Sequence, residues 1–210
     1  MGNLAMTQMI PIQELTPGQI GAIRNGAIGA VVAMVSRELG LPQDRLVVRD
    51  IRPYEDLAVY AQLGTTPVLA TVNDWMALAT AGSGAWQAFT ASSTMADQRY
   101  IALFGARDQR LAINHSTVGA DVTATIANRQ EQARASLIRL TIGGAYKVIW
   151  DIRGMQAYSD ALVCFSPSPV IIPQNVSYQI HYFNDATTDG TIGIQLIGVV
   201  VEPRGLVVSP

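Results

Sequence analysis

The second half of the chain is a series of short apolar runs separated by turn-forming residues, and this pattern restricts the fold more than any other feature. The runs occupy residues 100–106, 110–114, 122–127, 136–142, 146–152, 161–165, 170–173, 176–183 and 191–202. Short strands at this spacing are typical of an antiparallel β-sandwich or jelly roll. The sequence therefore predicts a mainly β chain, with the sandwich at 96–210.

Alternation within the runs predicts which side chains are buried. Tyr178, Ile180 and Tyr182 alternate with more polar neighbours, and the alternation resumes after a turn at 192–196. We expect these two segments to pair as a hairpin of long strands. Trp150 and Cys164 lie in apolar runs and are predicted to be core residues.

A helix is predicted near the N-terminus. Thr16 and Pro17 form a helix start, whereas Gly40 and Pro42 form a stop, which frames about 20 helical residues. Apolar residues recur at helical spacing on one side, at Ile20, Ile23, Ala27, Val31, Met34 and Val35. We interpret residues 1–95 as a helix-containing arm with an irregular region at 54–95, in which the surroundings of Trp75 and Trp86 are short helices or loops.

The helix is also the only candidate membrane segment in the sequence. Its continuous apolar part covers residues 27–35, which is too short to span a bilayer. We therefore expect it to dock on protein, with membrane insertion of residues 17–39 as an alternative. The N-terminus lacks a basic segment followed by an apolar stretch, so no signal peptide is predicted and synthesis in the cytoplasm is expected.

Composition favours protein partners over nucleic acid. Hydrophobic residues make up 49% of the chain and charged residues only 14%, against about 25% in an average globular protein. A surface with so few charges suits burial against other subunits. The net charge of −2 provides no field that would hold a phosphate backbone, so direct binding of nucleic acid is not expected.

No catalytic, metal or cofactor site is predicted. The two histidines, His115 and His181, are not accompanied by a nucleophile motif, and one cysteine with two distant histidines cannot form a zinc site. The segment with Asn184, Asp185 and Asp189 is interpreted as a solvated turn and not as a calcium loop. Convergence of two acids such as Asp151 and Asp160 stays open, but we expect a protein without enzymatic activity.

Three segments of the C-terminal half carry a resemblance to a known class of proteins. Residues 136–155, 166–184 and 190–203 combine a hydrophobic strand, a proline-bounded extended run, an aromatic alternating segment and a closing GVVVEP strand. This arrangement resembles the C-terminal sandwich of bacteriophage virion proteins. The resemblance implies a homo-oligomeric structural protein located in the virion, such as a capsid decoration or minor capsid protein, whose partners are itself and the major capsid or other virion proteins.

The subunit-contact hypothesis places candidate interface residues on the helix, on an Arg-rich segment and on proline-bounded segments expected at sheet edges. They are Ile20, Ile23, Arg24, Val31, Arg45, Arg49, Arg52, Pro169, Pro173 and Pro203. The alternative from another functional class is a neck, tail or receptor-binding module that recognises a host glycan. It would use an aromatic patch with residues such as Trp150, Tyr158 or Tyr182.

Overall fold

In the described part of the chain, two β-sheets pack face to face and one long helix lies on the outer side of the second sheet. The computed structural model describes residues 6–52, 56–57, 77–81, 84–90, 92–108, 135–154, 163–184 and 190–205. Within these ranges the mainly β prediction, with an N-terminal helix, is confirmed.

Each sheet combines strands from distant parts of the sequence. The strands are β1 Met6–Gln8, β2 Ile10–Pro11, β3 Leu46–Asp50, β4 Ala77–Ala81, β5 Ala85–Ala88, β6 Ser93–Thr94, β7 Tyr100–Asp108, β8 Ala135–Ile142, β9 Ala145–Asp151, β10 Val163–Ile172, β11 Ser177–Asn184 and β12 Gly190–Pro203. Sheet A has the order β1-β9-β8-β11-β5, with β6 also paired to β11. Sheet B has the order β2-β10-β7-β12-β3, with β4 also paired to β12. Because strands before residue 96 join both sheets, the sandwich is larger than the predicted range 96–210.

The helix α1 spans Pro17–Leu39 and has the ends that the sequence predicted. The Thr16 hydroxyl accepts a hydrogen bond from the Gln19 N–H, and the Gln19 side-chain oxygen accepts one from the Thr16 N–H at 2.8 Å. This capping box satisfies two backbone donors at the start of the helix. At the other end Gly40 takes the left-handed conformation, with φ of 65°, that stops a helix. Short 3-10 turns flank the helix. One precedes it at Ile12–Glu14, and the other follows it at Gln43–Arg45.

Two hydrophobic clusters hold the layers together. Between the sheets lie inward side chains of both, among them Ile101, Leu103, Ile138, Leu140 and Trp150. On the outer side of sheet B, the helix buries Ala27, Val31 and Val35 against strand residues, which include Tyr100, Ala102, Phe104, Val199 and Val201. Strand β7 therefore contributes to both clusters, since its alternate residues point to opposite sides of the sheet.

The predicted hairpin between the two C-terminal segments is wrong. Strand β11 pairs with β8, β5 and β6 in sheet A, whereas β12 pairs with β7, β4 and β3 in sheet B. Alternation identifies the buried side of a strand, but it does not identify the strand beside it. The buried residues Tyr182 and Leu196 consequently belong to opposite sheets of one core.

The proline-bounded segments also differ from the prediction. Pro169 lies in an irregularity of β10 between Phe165 and Val170, where the pairing with β7 shifts, and Pro173 directly follows that strand. Pro203 is buried at the last position of β12, paired with Leu46, and does not lie at a sheet edge. A strand end tolerates proline because the ladder needs no further donor there.

Candidate interaction surface

The outward side of sheet A carries the most unusual set of side chains in the protein. Register places them on three adjacent rows across the sheet, because residues directly opposite on paired strands share a face. His181, Arg139, Ile149 and Met6 form one row. We call the central part of this surface the outer face; it consists of Met6, Trp86, Leu137, Arg139, Thr141, Tyr146, Ile149, His181 and Phe183. The same rows continue to the polar residues Gln8, Asp151 and Gln179.

Six of the nine residues of the outer face are apolar or aromatic, and each of the nine retains contact with solvent. None of the nine is fully buried, and Met6 and Tyr146 are each 56% exposed. An antiparallel sheet normally covers its core side with apolar residues and its solvent side with polar ones. Sheet A instead places large apolar side chains on both sides.

The centre of the outer face is a guanidinium group between two aromatic rings. The Arg139 Cζ lies 4.4 Å from the centroid of the Trp86 ring and 4.5 Å from the centroid of the Tyr146 ring. Trp86 is in turn held by an edge contact with Phe183, whose centroid is 5.5 Å away. These distances are typical of cation–π contacts, so the three side chains form an ordered unit on the surface.

His181 lies directly opposite Arg139 on the neighbouring strand. Burial lowers the pKa of its imidazole, and the nearby positive charge of Arg139 lowers it further. The ring is therefore neutral near pH 7. This placement refines the sequence interpretation of His181 as a surface or interface residue, while His115 lies outside the described residues.

The His181 pKa gives a pH dependence of stability with a defined sign. Below its ordinary value of 6.5 the unfolded chain takes up a proton that the folded chain resists, so stability falls as the pH is lowered through that value. We expect the loss of unfolding free energy between pH 7 and pH 5.5 to be smaller in His181→Asn than in the parent chain. Urea unfolding at the two pH values measures this difference, and an equal loss in both proteins would contradict it.

A group of ion pairs, which we call the ion network, lies at one end of the core. It consists of Arg49, Arg99, Asp56 and Glu202, and its charges balance. Arg49 donates two hydrogen bonds to Asp56, each 2.7 Å long, and Asp56 also accepts one from the Arg52 N–H. Arg99 donates to Glu202 and lies 3.5 Å from Asp56. Two guanidinium groups thus neutralise two carboxylates that are almost fully buried, which is an arrangement for fixing structure.

Tyr178 borders the ion network from sheet A. Burial raises the pKa of its hydroxyl to about 12, with smaller and opposing effects of the Ser93 hydrogen bond, the Asp56 charge and the Arg99 charge. The phenol therefore stays protonated, and it joins the ion network to the opposite sheet without providing a base.

The other acids and the cysteine considered in the sequence analysis are ion-paired, buried in the core, or outside the described residues. Asp151 receives a bidentate ion pair from Arg153, which lowers the pKa of its carboxyl and keeps it ionised. Cys164 is fully buried in the core, as predicted. Asp160, Asp185 and Asp189 lie outside the described residues. Within the described ranges no group of three or more His, Cys, Asp or Glu residues has a geometry that would hold a metal ion.

The predicted interface residues do not form one surface. Val31 is fully buried against the protein's own sheet B, and Ile20 and Ile23 pack against the same cluster. Arg24 forms an ion pair with Asp50 at 2.9 Å, while Arg49 belongs to the ion network. The Arg-rich segment is therefore divided, because only Arg49 lies in β3, whereas Arg45 ends the 3-10 turn before this strand and Arg52 follows it. Arg45 and Arg52 are exposed, and Pro169 and Pro173 are partly exposed.

The aromatic residues proposed for a glycan patch are mostly core residues. Trp150 is 0% exposed and Tyr182 is 1% exposed, both on the inner side of sheet A, and Tyr158 lies outside the described residues. Within the part of the chain that the structure describes, the aromatic residues that reach the surface are Trp86, Tyr146 and Phe183. Sequence reasoning missed them, although Arg139 in the middle of an apolar run was a signal of an outward position with a specific use.

No protein-family model, curated protein or solved structure matches the chain.

Proposed function

We propose that this chain is a structural protein of a virus particle, a bacteriophage capsid decoration, cement or minor capsid protein that stabilises the particle through subunit contacts. The observation that supports the proposal is the outer face, on which Trp86, Tyr146 and Arg139 form one unit. These are the three residue types that most often dominate the binding energy of protein interfaces. Contiguous exposed apolar surface of this kind marks sites of protein–protein contact.

The rest of the fold is consistent with such a task. Cement requires a rigid body with a surface for docking and does not require an active site. The three layers, joined by two hydrophobic clusters and the ion network, provide the rigid body. The low charged fraction of 14% reduces the desolvation cost of covering large surfaces.

The test is association with particles. Purified chain is mixed with particles that lack it, and the bound fraction is measured after sedimentation. We expect binding, and we expect Tyr146→Ala to weaken it at least about tenfold, because an anchor residue of this type contributes about 2 kcal/mol or more. Val48→Ala, which removes a 38% exposed apolar side chain on the opposite sheet, is the matched control and should bind normally. A monomer that never associates with particles would refute the proposal.

The helix supports a second candidate function, a membrane-associated virion protein. By length and hydropathy α1 is able to cross a membrane, and only 17% of its most apolar window is buried, although helices that dock on their own protein pass the same test. Its outward side carries small uncharged residues, which include Ala22, Gly26, Gly29, Ala30 and Ala33. Flotation with liposomes distinguishes the two functions, since a cement protein should remain in the dense fraction and a membrane protein should float.

A further inference from the structure

Among the described residues, Arg139 has no counter-charge of the kind that a half-buried guanidinium normally has. None of the ion pairs among the described residues includes it, and its Nε is buried without a hydrogen-bond partner. Arg24, Arg49, Arg99 and Arg153, in contrast, each pair with a carboxylate. The aromatic rings stabilise the Arg139 charge, but they accept no conventional hydrogen bond.

Two further polar atoms without partners surround this guanidinium. His181 Nδ1 and Thr141 Oγ1 are buried and unpaired among the described residues, and both side chains lie on the outer face next to Arg139. A buried polar group without a partner costs about 1 to 3 kcal/mol, so native proteins rarely leave three together. These atoms mark the surroundings of Arg139 as a polar site that the described residues do not complete.

The geometry of the rings selects the kind of acceptor. The Trp86 and Tyr146 rings belong to strands on opposite sides of β8, and both lie within 4.5 Å of the guanidinium carbon, so its N–H edge is the part that remains for hydrogen bonding. A carboxylate is planar and pairs with that edge through two parallel hydrogen bonds. The site therefore fits a carboxylate that enters in the plane of the guanidinium.

The surroundings favour a protein over a sugar as the source of the carboxylate. Met6, Leu137, Ile149 and Phe183 border the polar centre and provide apolar contact area, and the Asp151 carboxylate opposite Leu137 is already paired with Arg153. A sugar acid would leave its hydroxyls unpaired there. An acidic side chain between apolar neighbours would instead pair its carboxylate with Arg139 and bury the neighbours against apolar side chains. A second copy in symmetric contact is disfavoured, because it would bring two Arg139 charges together.

We propose that the outer face binds a protein surface on which an Asp or Glu carboxylate, flanked by apolar side chains, inserts between Trp86 and Tyr146 to pair with Arg139. This inference rests on the proposed function and specifies the chemistry of the partner. The carboxylate supplies the missing counter-charge, and the apolar neighbours cover the aromatic and aliphatic residues around it.

The test uses the isolated chain and three defined probes, observed through the Trp86 indole and His181 ring signals in NMR spectra at low salt. The probes are the peptide acetyl-Leu-Asp-Leu-amide, its Asn counterpart and methyl glucuronide, each titrated to about 10 mM because a single charged pair gives millimolar affinity. We expect saturable shifts with the Asp peptide and at least tenfold weaker binding of the Asn peptide and the glucuronide.

Variants define the role of the guanidinium. Arg139→Gln should abolish binding of the Asp peptide, and Arg139→Lys, which keeps the charge without the planar edge, should weaken it severalfold. Arg24→Gln, on the opposite side of the molecule, should leave it unchanged. Equal binding of the Asp and Asn peptides, tighter binding of the glucuronide, or full binding by Arg139→Gln would each overturn the inference. None of these results depends on particle association, so the inference and the proposed function fail separately.

Discussion

Replacing Asp56 by Ala is expected to lower the free energy of unfolding by about 3 kcal/mol, because it leaves two guanidinium groups of the ion network without their shared carboxylate. Asp56 is 1% exposed in its side chain and accepts hydrogen bonds from the Arg49 guanidinium and the Arg52 backbone. Arg49 and Arg99 are 29% and 30% exposed, so water compensates part of the loss. We therefore expect a loss of stability at the lower end of the range that follows removal of one partner from a buried ion pair.

Asp50→Ala is the matched control for that substitution. Asp50 also pairs with an arginine, Arg24, but the two side chains are 73% and 49% exposed. Exposed ion pairs contribute about 1 kcal/mol or less. Urea unfolding of the two variants should therefore give clearly different midpoints, and similar midpoints would show that the ion network does not stabilise the end of the core.

Gly198→Ala is expected to lower the free energy of unfolding by about 3 kcal/mol. This is the upper end of the losses that extra carbon atoms cause in a well-packed core. A Cβ at this position would lie 2.5 Å from the Ala102 carbonyl oxygen and 3.0 Å from a methyl group of Leu103. Both neighbours belong to β7, which pairs with β12 through an irregularity at this point. The carbonyl cannot move without disturbing the central ladder of sheet B.

Gly29→Ala adds the same methyl group where space is open. Nothing lies within 4 Å of its Cβ position, and the residue is exposed on α1. Since Ala exceeds Gly in helix propensity by about 1 kcal/mol, this variant should be more stable than the parent chain. Thermal unfolding of both glycine variants compares them directly; a neutral Gly198→Ala would contradict the close packing of β7 and β12.

The parts of the fold that local chemistry determines were predictable from the sequence. The start at Thr16 and Pro17 and the stop at Gly40 depend on neighbouring backbone groups, and the helix has these ends. The core positions of Trp150 and Cys164 followed from apolar strands and are confirmed. The pairing of β11 and β12 with strands of different sheets was not predictable, because alternation carries no information about the neighbouring strand.

The candidate surface was missed for the same reason. Arg139 and Tyr146 lie on the consecutive strands β8 and β9, but Trp86 comes from β5, far earlier in the sequence, and its contact with Arg139 depends on the order of strands in sheet A. Trp86 in particular lay in a region expected to be a short helix or loop, whereas it is part of strand β5. Of the interface residues predicted from the sequence, Val31 packs on sheet B of the chain itself, and the exposed ones stay predictions.

The central claim is that the outer face of sheet A is covered when this chain reaches its partners. Hydroxyl-radical footprinting measures this most directly, because methionine and aromatic side chains are oxidised readily when water reaches them. The free chain and the particle-bound chain are exposed under the same conditions, with Met6, Trp86 and Tyr146 as reporters on the outer face and Val48 as the reference on sheet B. The account predicts severalfold protection of the three reporters on binding and unchanged oxidation of Val48. Equal oxidation of Met6, Trp86 and Tyr146 in the free and bound states would contradict it.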